Sequence, residues 1–281
     1  MQSATPSRTA LRVALRRAAH QLYDAKPLVL DDPIAVPILG DTYAEELRRT
    51  PTRPDRPFSV ALRAFLVARS RYAEDALATA VAEGVAQYVL LGAGLDTFAH
   101  RNPYPQLRVF EVDHPATQQW KRDLIETNAL SIPGNLVYTP VDFECQSLPE
   151  QLLEAGFDTR APAFFAWLGV VPYLTLEAFR ATLAFIASQA PGSGLVLDYC
   201  QPRSALPFFE QLAYDSLASR VQQSGEPFQL FFTPPKIASE LDSFYNLEDL
   251  GSHEINMRYL ADRTDSLKVL GSAGRLLSAW L

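Results

Sequence analysis

The stretch that most constrains how this chain can fold is residues 88–97, which read YVLLGAGLDT. Its apolar run leads directly into a Gly-Ala-Gly turn at residues 92–94, a pattern typical of a buried parallel strand that turns sharply into a helix. Glycine lets the backbone pass close to a ligand without a Cβ in the way, and the start of the next helix offers unpaired N–H groups. The stretch therefore indicates either a nucleotide-type ligand site or a plain tight turn.

An alternation of strands and helices follows this turn. Further apolar runs, most of them succeeded by a stretch with helical character, occur at residues 107–112, 136–141, 163–168 and 195–197. This order predicts an α/β fold with a mostly parallel sheet and helices on both faces. Two more strands are predicted at residues 244–250 and 275–280, the last as an antiparallel edge. In such sheets ligands bind at the carboxyl ends of the strands.

The composition favours a small-molecule ligand over a nucleic acid. Of the 281 residues 48% are hydrophobic, enough for a sizeable core, and the net charge of −7 comes without a long basic block. Binding to nucleic acid by phosphate neutralisation is therefore not expected. The two cysteines, Cys145 and Cys200, lie far apart and the four histidines form no HExxH motif, so neither a metal site nor a disulfide is predicted.

Neither membrane insertion nor secretion is predicted. The chain has no run of about 18 apolar residues and no charged-then-apolar leader. We expect a cytoplasmic protein, monomeric or homodimeric, whose partner is a small molecule.

Residues 7–23 predict an amphipathic helix with a basic side, because four arginines accompany apolar residues at helical spacing. Three interpretations are open: a transit peptide or membrane-surface helix, a packed helix with a solvated arginine face, or a helix whose Arg16 or Arg17 points into the active site and holds a carboxylate. Three prolines within residues 51–57 then mark a loop that serves as a mobile cover or a hinge.

Residues 58–82 contain neither glycine nor proline and predict a long helix just before the glycine turn. This helix carries Arg69 and Arg71. Each arginine belongs either to a charged exposed face or to the site, where a guanidinium suits the pairing of a ligand carboxylate.

Acidic residues end the second predicted strand. Asp113 lies about 20 residues beyond the glycine turn, where a side chain that binds ribose hydroxyls is expected. Glu111 alternates onto the same face one pleat earlier and is either a second site residue or a structural partner of the long helix.

The third and fourth strands end in further candidates. Asp142 and Phe143 together suit an exocyclic amine and a purine face, although Asp142 can equally cap the next helix. The fourth strand runs into an apolar, aromatic segment, residues 165–174, which includes Trp167 and Tyr173. This segment either flanks the reacting centre or belongs only to the core.

These motifs in this order resemble the leucine carboxyl methyltransferase family. The resemblance is carried by LGAGLDT at residues 91–97, EVD at 111–113, Asp142, and WLGVVPYL at 167–174. Within the family the chain is most similar to the bacterial branch of S-adenosylmethionine-dependent O-methyltransferases that includes polyketide-pathway enzymes. The match runs from about residue 9 to residue 281, and its glycine and EVD motifs are the specific part.

The resemblance implies a class I methyltransferase with a Rossmann-like sheet, a helical cover and S-adenosyl-L-methionine as cofactor. It divides the chain into an N-terminal helical cover with a proline-rich link (1–57), a cofactor-binding core (58–203), an aromatic-rich cover insertion (204–243) and strands that complete the sheet (244–281). It places these residues at the cofactor: Arg17, Arg69, Arg71, Gly92, Ala93, Gly94, Asp96, Glu111, Asp113, Asp142, Phe143 and Trp167.

Within that set the resemblance implies particular roles. Arg69 or Arg71 binds the methionine carboxylate with help from Arg17, and Gly92 and Gly94 shape the methionine pocket. Asp113 holds the ribose. Asp142 and Phe143 bind the adenine. Relatives often have a glutamate where this chain has Leu168, so a backbone carbonyl near Trp167 replaces that contact with the amino group.

The predicted reaction is methyl transfer to a carboxylate or hydroxyl oxygen of a small acceptor, polyketide-like or aromatic in view of the aromatic residues within 204–233. A carboxylate needs no general base, whereas a phenol or alcohol usually does. Tyr173 is the one side chain predicted to lie near the acceptor.

Two other classes of protein stay open. A nicotinamide-dependent oxidoreductase shares the first turn and the acid after the second strand, but its third glycine position is Thr97. A regulatory protein that binds S-adenosylmethionine without turnover is the other, and Leu168 keeps it open.

Overall fold

The computed structural model describes residues 7–49, 57–142, 146–222 and 227–281. Its strands are β1 (Gln87–Leu91), β2 (Arg108–Asp113), β3 (Leu136–Pro140), β4 (Phe164–Trp167), β5 (Gly194–Cys200), β6 (Tyr245–Leu250) and β7 (Gly274–Trp280). They form one sheet in the order β3-β2-β1-β4-β5-β7-β6, in which β7 runs antiparallel to both neighbours and the pairs from β3 to β5 are parallel. The predicted α/β sheet is confirmed.

Helices cover both faces of the sheet. They are α1 (Arg8–Tyr23), α2 (Gly40–Arg49), α3 (Pro57–Ala82), α4 (Phe98–Arg101), α5 (Pro115–Thr127), α6 (Leu148–Glu154), α7 (Leu176–Ala187), α8 (Phe208–Gln222), α9 (Pro234–Glu240) and α10 (Ser252–Tyr259). In β1 every residue is buried, because Leu90 packs with α3 on one face while Leu91 packs with α6 and α7 on the other. In the described ranges no helix combines the length and the apolar character needed to cross a bilayer.

The edge of the sheet differs from the prediction. The strand predicted at residues 275–280 is antiparallel but lies between β5 and β6, so that β6 is the edge. The burial explains the order: Leu276 and Leu277 in β7 are buried, whereas Tyr245 and Leu247 in β6 are exposed. An inner strand must be apolar on both faces, and an edge strand need not be.

The N-terminal helix is part of the fold. Ser7 accepts a hydrogen bond from the Ala10 N–H at 3.2 Å and so caps α1, whose residues Ala14 and Ala18 are buried against the rest of the protein. The following segment is fastened by Asp32, a fully buried carboxylate that accepts from the Thr97 hydroxyl at 2.6 Å. The N-terminal segment is therefore bonded to Thr97, the residue immediately before α4.

A buried ion pair joins α5 to the sheet. Lys121 Nζ lies 2.6 Å from Glu111 Oε2 and donates to the Asp96 carbonyl at 2.5 Å, and both charged side chains are 1% exposed. Burial raises the pKa of Glu111, and the neighbouring ammonium opposes that shift. Glu111 was predicted either as a site residue or as a partner of the long helix. Its side chain pairs with α5 instead of the long helix, so the second alternative is wrong, and the first stays a prediction.

Lys121→Met should destabilise the protein strongly, because it leaves Glu111 as a buried charge without a partner. We expect the free energy of unfolding to fall by about 3–5 kcal/mol, measured by denaturant titration. The double variant with Glu111→Leu should recover most of that loss, since it removes both charges.

The control is Arg160→Met, which breaks an ion pair with Asp158 on the surface. That pair is solvated, so its loss should change stability little. A Lys121→Met protein as stable as the wild type would contradict the role assigned to the buried pair.

Candidate cofactor and active site

A cavity of about 680 Å³ opens at the carboxyl ends of β1, β2 and β4. Its floor is the turn after β1, and its sides are Asp113 at the end of β2, the segment that follows β4, and Arg69 from α3. One face of α1 covers it, with the side chains of residues 9, 10, 13, 14 and 17 at helical spacing. This is the edge of the sheet at which the sequence predicted a ligand.

The glycine turn leaves no room for side chains. Gly92 and Gly94 have φ angles of +71° and +50°, in the left-handed region that favours glycine. A Cβ on Gly92 would lie 2.3 Å from Val170 Cγ2. The N–H groups of Gly92 and Ala93 donate to the Val112 carbonyl at 2.9 and 3.0 Å, which fixes the turn against β2. All three predicted turn residues line the cavity.

Asp113 is held in place by the turn it faces. One carboxylate oxygen accepts from the Gly94 N–H at 2.5 Å and the other from the His114 N–H at 2.7 Å. Burial raises the pKa of Asp113, and these two N–H groups act against it. Each oxygen keeps a lone pair for a further donor, as a ribose diol would supply.

Only one of the two candidate arginines on α3 reaches the cavity. Arg69 is 8% exposed, lines the cavity, and donates from Nη1 to Asp198 Oδ2 at 2.9 Å. Arg71 is on the solvent side of the helix, where its side chain is 48% exposed and pairs with Asp75 at 2.7 Å. The prediction of Arg71 as a site residue is therefore corrected: two residues along a helix correspond to about 200° of rotation.

Arg17 and Asp96 form a pair between α1 and the turn. Arg17 Nη1 lies 3.1 Å from Asp96 Oδ2, and Nη2 donates to the Leu95 carbonyl. Asp96 Oδ1 accepts from the Phe98 N–H at 2.8 Å. Although burial acts to raise the pKa of Asp96, the charges of Arg17 and Lys121 hold it below the ordinary value. Both members of the pair line the cavity.

The segment after β4 forms the opposite wall. Trp167 is buried and stacks on Phe179 with ring centroids 5.3 Å apart and an interplanar angle of 7°. Tyr173, in a short 3-10 helix after β4, also lines the cavity and packs against Phe228 at 5.3 Å. Leu168 lines it as well and contributes no carboxylate there.

Of the two residues predicted for the adenine, the structure describes Asp142 alone. Asp142 follows β3, its N–H donates to Gln146 Oε1 at 2.9 Å, and it is not among the described residues that line the cavity, so its role at the adenine stays a prediction. Leu148 from α6 lines the cavity. Phe143 lies outside the described residues. In the part of the chain that the structure describes, no group of three or more metal-ligating side chains occurs.

The cavity carries polar atoms without protein partners. Within the described ranges, Thr9 Oγ1 and Arg17 Nε are buried and unbonded, and Arg69 makes a single hydrogen bond. Together with the glycine turn and Asp113, these groups fit a ligand that joins a ribose to a charged, amino-acid-like group. Sequence reasoning missed Thr9 and Asp198. For Thr9, the small residues at helical spacing in α1 were a signal that this face of the helix lies against the cavity.

The sheet and its helices have the class I methyltransferase fold. Among solved structures, a "putative methyltransferase" from Thermobifida fusca superposes with a TM-score of 0.59 at 17% identity, over 99% of this chain and 96% of that one. A DUF574 family protein from Streptomyces avermitilis superposes with a TM-score of 0.57 at 15% identity, over 87% and 94% of the two chains. At these identities the likeness shows the fold.

Sequence comparison gives the family. The model of the leucine carboxyl methyltransferase family matches residues 10–187. The chain is 33% identical to the Bacillus subtilis protein named "Putative S-adenosyl-L-methionine-dependent methyltransferase YktD" over 95% of both chains. It is 35% identical to a Mycobacteroides abscessus protein with the same description, over 66% of this chain and 61% of the relative. The chain belongs to the leucine carboxyl methyltransferase family, which confirms the predicted class of enzyme, an S-adenosyl-L-methionine-dependent methyltransferase.

Gly92→Ala should impair ligand binding, because the new Cβ must displace Val170 and the turn. We expect the affinity for S-adenosylhomocysteine, measured by isothermal titration, to fall about tenfold to a hundredfold. Val170→Ala removes the methyl group that clashes, so the double variant should regain part of the affinity. Gly84→Ala is the control, since Gly84 also has a positive φ of +97° but faces open space. Equal losses of affinity in Gly84→Ala and Gly92→Ala would contradict the assignment.

The affinity for the same ligand should depend on pH through Asp113. The ionised carboxylate is the stronger acceptor for hydroxyl groups, and it predominates above a pKa that burial has raised. The dissociation constant should therefore increase as the pH falls through that pKa, which the charges of Lys121 and His114 also influence. Asp113→Asn should bind more weakly, by about tenfold, and lose this dependence. If the variant kept the wild-type pH profile, another group would be responsible.

Proposed function

We propose that this protein transfers the methyl group of S-adenosyl-L-methionine to a carboxylate or hydroxyl oxygen of a small acceptor. The observation that carries the proposal is the joint placement of the glycine turn, Asp113 and Arg69 around one cavity at the ends of parallel strands. When bound, the cofactor supplies an electrophilic methyl group on its sulfonium sulfur. The protein then has to orient the acceptor oxygen and exclude water.

The residues present divide the binding task among themselves. Asp113 accepts the ribose hydroxyls, and the Arg69 guanidinium receives the methionine carboxylate. Ala10 on α1 closes over the turn, since a Cβ on Gly94 would lie 3.2 Å from the Ala10 Cβ. Covering the turn with a helix removes water from the cofactor and from the reacting atoms.

The titratable side chains of the cavity favour an acceptor that is already anionic. Among the described lining residues, the acids Asp96 and Asp113 and the imidazole of His114 each accept hydrogen bonds from backbone N–H groups. These bonds hold the turn and the start of α5, and the acceptor sites that Asp113 keeps are the ones assigned to the ribose. A carboxylate acceptor requires no proton removal, so it fits this lining better than an unactivated alcohol.

Aromatic side chains from the segment after β5 favour an apolar or planar acceptor. Tyr173 packs on Phe228, and Tyr214 from α8 packs on Phe228 and Phe231 with centroids 6.4 and 6.1 Å apart. Gln229 Nε2 donates to the Tyr173 carbonyl at 3.0 Å, which ties this segment to the wall of the cavity. Of these rings Tyr173 lines the cavity, and Phe228 packs against it. An aromatic ring beside the acceptor stabilises flat apolar molecules by stacking.

Ligand titration and product analysis together test the proposal. S-adenosylmethionine and S-adenosylhomocysteine should bind, and NADH should not. With methyl-labelled cofactor and a panel of aromatic and aliphatic carboxylic acids, phenols and alcohols, we expect label in product. Label that mild base releases as methanol marks a methyl ester, whereas a methyl ether retains it.

Three results would count against the proposal. Binding of NADH in place of S-adenosylmethionine would indicate an oxidoreductase. Cofactor binding without transfer to any acceptor would indicate a regulatory protein. Label on nitrogen or carbon alone would exclude oxygen as the acceptor atom.

A further inference from the structure

Asp198 is a buried carboxylate near the carboxyl end of β5, next to residues that line the cavity. It accepts from Arg69 Nη1 at 2.9 Å through one oxygen and from the Gly169 N–H through the other. The Arg69 and Asp198 side chains are 10% and 8% exposed, so solvent screens their interaction little. Arg69 and Gly169 line the cavity and Asp198 does not. The carboxylate therefore acts on any ligand through its two partners.

Gly169 provides the space in which the guanidinium lies. Its φ of +72° favours glycine, and a Cβ there would come within 2.9 Å of both Nη1 and Nη2 of Arg69. Three parts of the chain meet at this point. Arg69 lies on α3, Gly169 lies two residues after the end of β4, and Asp198 lies on β5. The guanidinium is planar, so the bond from Nη1 to Asp198 and the close approach of Gly169 to both Nη atoms restrict the direction of its other N–H groups.

The pair also sets the charge of this end of the cavity. A guanidinium and a carboxylate in contact have no net charge, yet the guanidinium keeps donors that make no hydrogen bond within the described part of the chain. Such a site suits a zwitterionic amino-acid group, whose carboxylate takes the free donors, better than a ligand with a net negative charge.

We infer that Asp198 is a positioning residue that orients Arg69 and thereby sets the affinity for the amino-acid part of the cofactor. Gly169 leaves the space that the guanidinium occupies. The inference rests on the proposed function. It predicts a selective effect: loss of Asp198 weakens the binding of ligands that carry the amino-acid group and leaves the adenosine part untouched.

The test compares two ligands in the full-length protein. S-adenosylhomocysteine carries the amino-acid group, and 5′-methylthioadenosine has the same adenosine and sulfur without it. In Asp198→Asn one of the two acceptor oxygens becomes an NH2 donor, so the side chain can no longer accept from both Arg69 and the Gly169 N–H, and the negative charge that holds the guanidinium is lost. We expect the affinity for S-adenosylhomocysteine to fall about tenfold to a hundredfold and that for 5′-methylthioadenosine to change less than about twofold. Asp158→Asn, which alters an exposed pair with Arg160, should change neither.

A double-variant comparison separates positioning from a general structural role. If Asp198 acts through Arg69, then Arg69→Met with Asp198→Asn should bind S-adenosylhomocysteine no more weakly than Arg69→Met alone. Additive losses, equal losses for both ligands, or no loss in Asp198→Asn would each overturn the inference. Should Asp198→Asn fail to fold, Gly169→Ala supplies the same test, because its Cβ displaces the guanidinium and leaves Asp198 in place. A wild-type protein that binds neither ligand would remove the proposed function, and the inference with it.

Discussion

The rest of the structure depends on the backbone turn after β1. Its left-handed glycines form a conformation that an ordinary side chain would obstruct, and its neighbours hold it from several directions. Asp113 accepts from the Gly94 N–H, Lys121 donates to the Asp96 carbonyl, and Arg17 donates to the Leu95 carbonyl. A buried turn must have its polar groups satisfied. Because three different elements satisfy them, the turn fixes where those elements lie.

Buried charges are the means by which the elements are joined. Arg17 binds the cover to the turn, Lys121 binds α5 to β2, and Arg69 binds α3 to β5. Such pairs contribute little net stability because desolvation offsets their attraction, but an unpaired member is costly, so they select one arrangement over others. The arrangement selected is the one that encloses the cavity. The division of the chain into cover and core remains a prediction, and the pair of Arg17 with Asp96 crosses its proposed boundary.

Much of the fold and part of the site could be predicted from local sequence. Neighbouring residues determine the glycine turn, the strand ends and Asp113. Their positions follow from the spacing of apolar residues along the strands and from the residues that turns require. Arg69 and Arg71 could not be separated, because the rotation of α3 is set by packing along its whole length. Asp198 was missed for a related reason: its partner Arg69 is 129 residues away along the chain, and no local pattern indicates such a pair.

The residue after the glycine turn and the short helix α4 explain why this cavity fits a sulfonium nucleoside better than a dinucleotide. In dinucleotide sites a third glycine lets the helix approach the sheet, and the helix N-terminus stabilises the pyrophosphate. Here Thr97 occupies that position, and its hydroxyl donates to the buried Asp32 of the cover. The helix that follows, α4, has only four residues and therefore a small dipole. A pyrophosphate would find little stabilisation at this turn, whereas Asp113 and Arg69, which line the cavity on either side of it, are the partners we propose for a ribose and an amino-acid group.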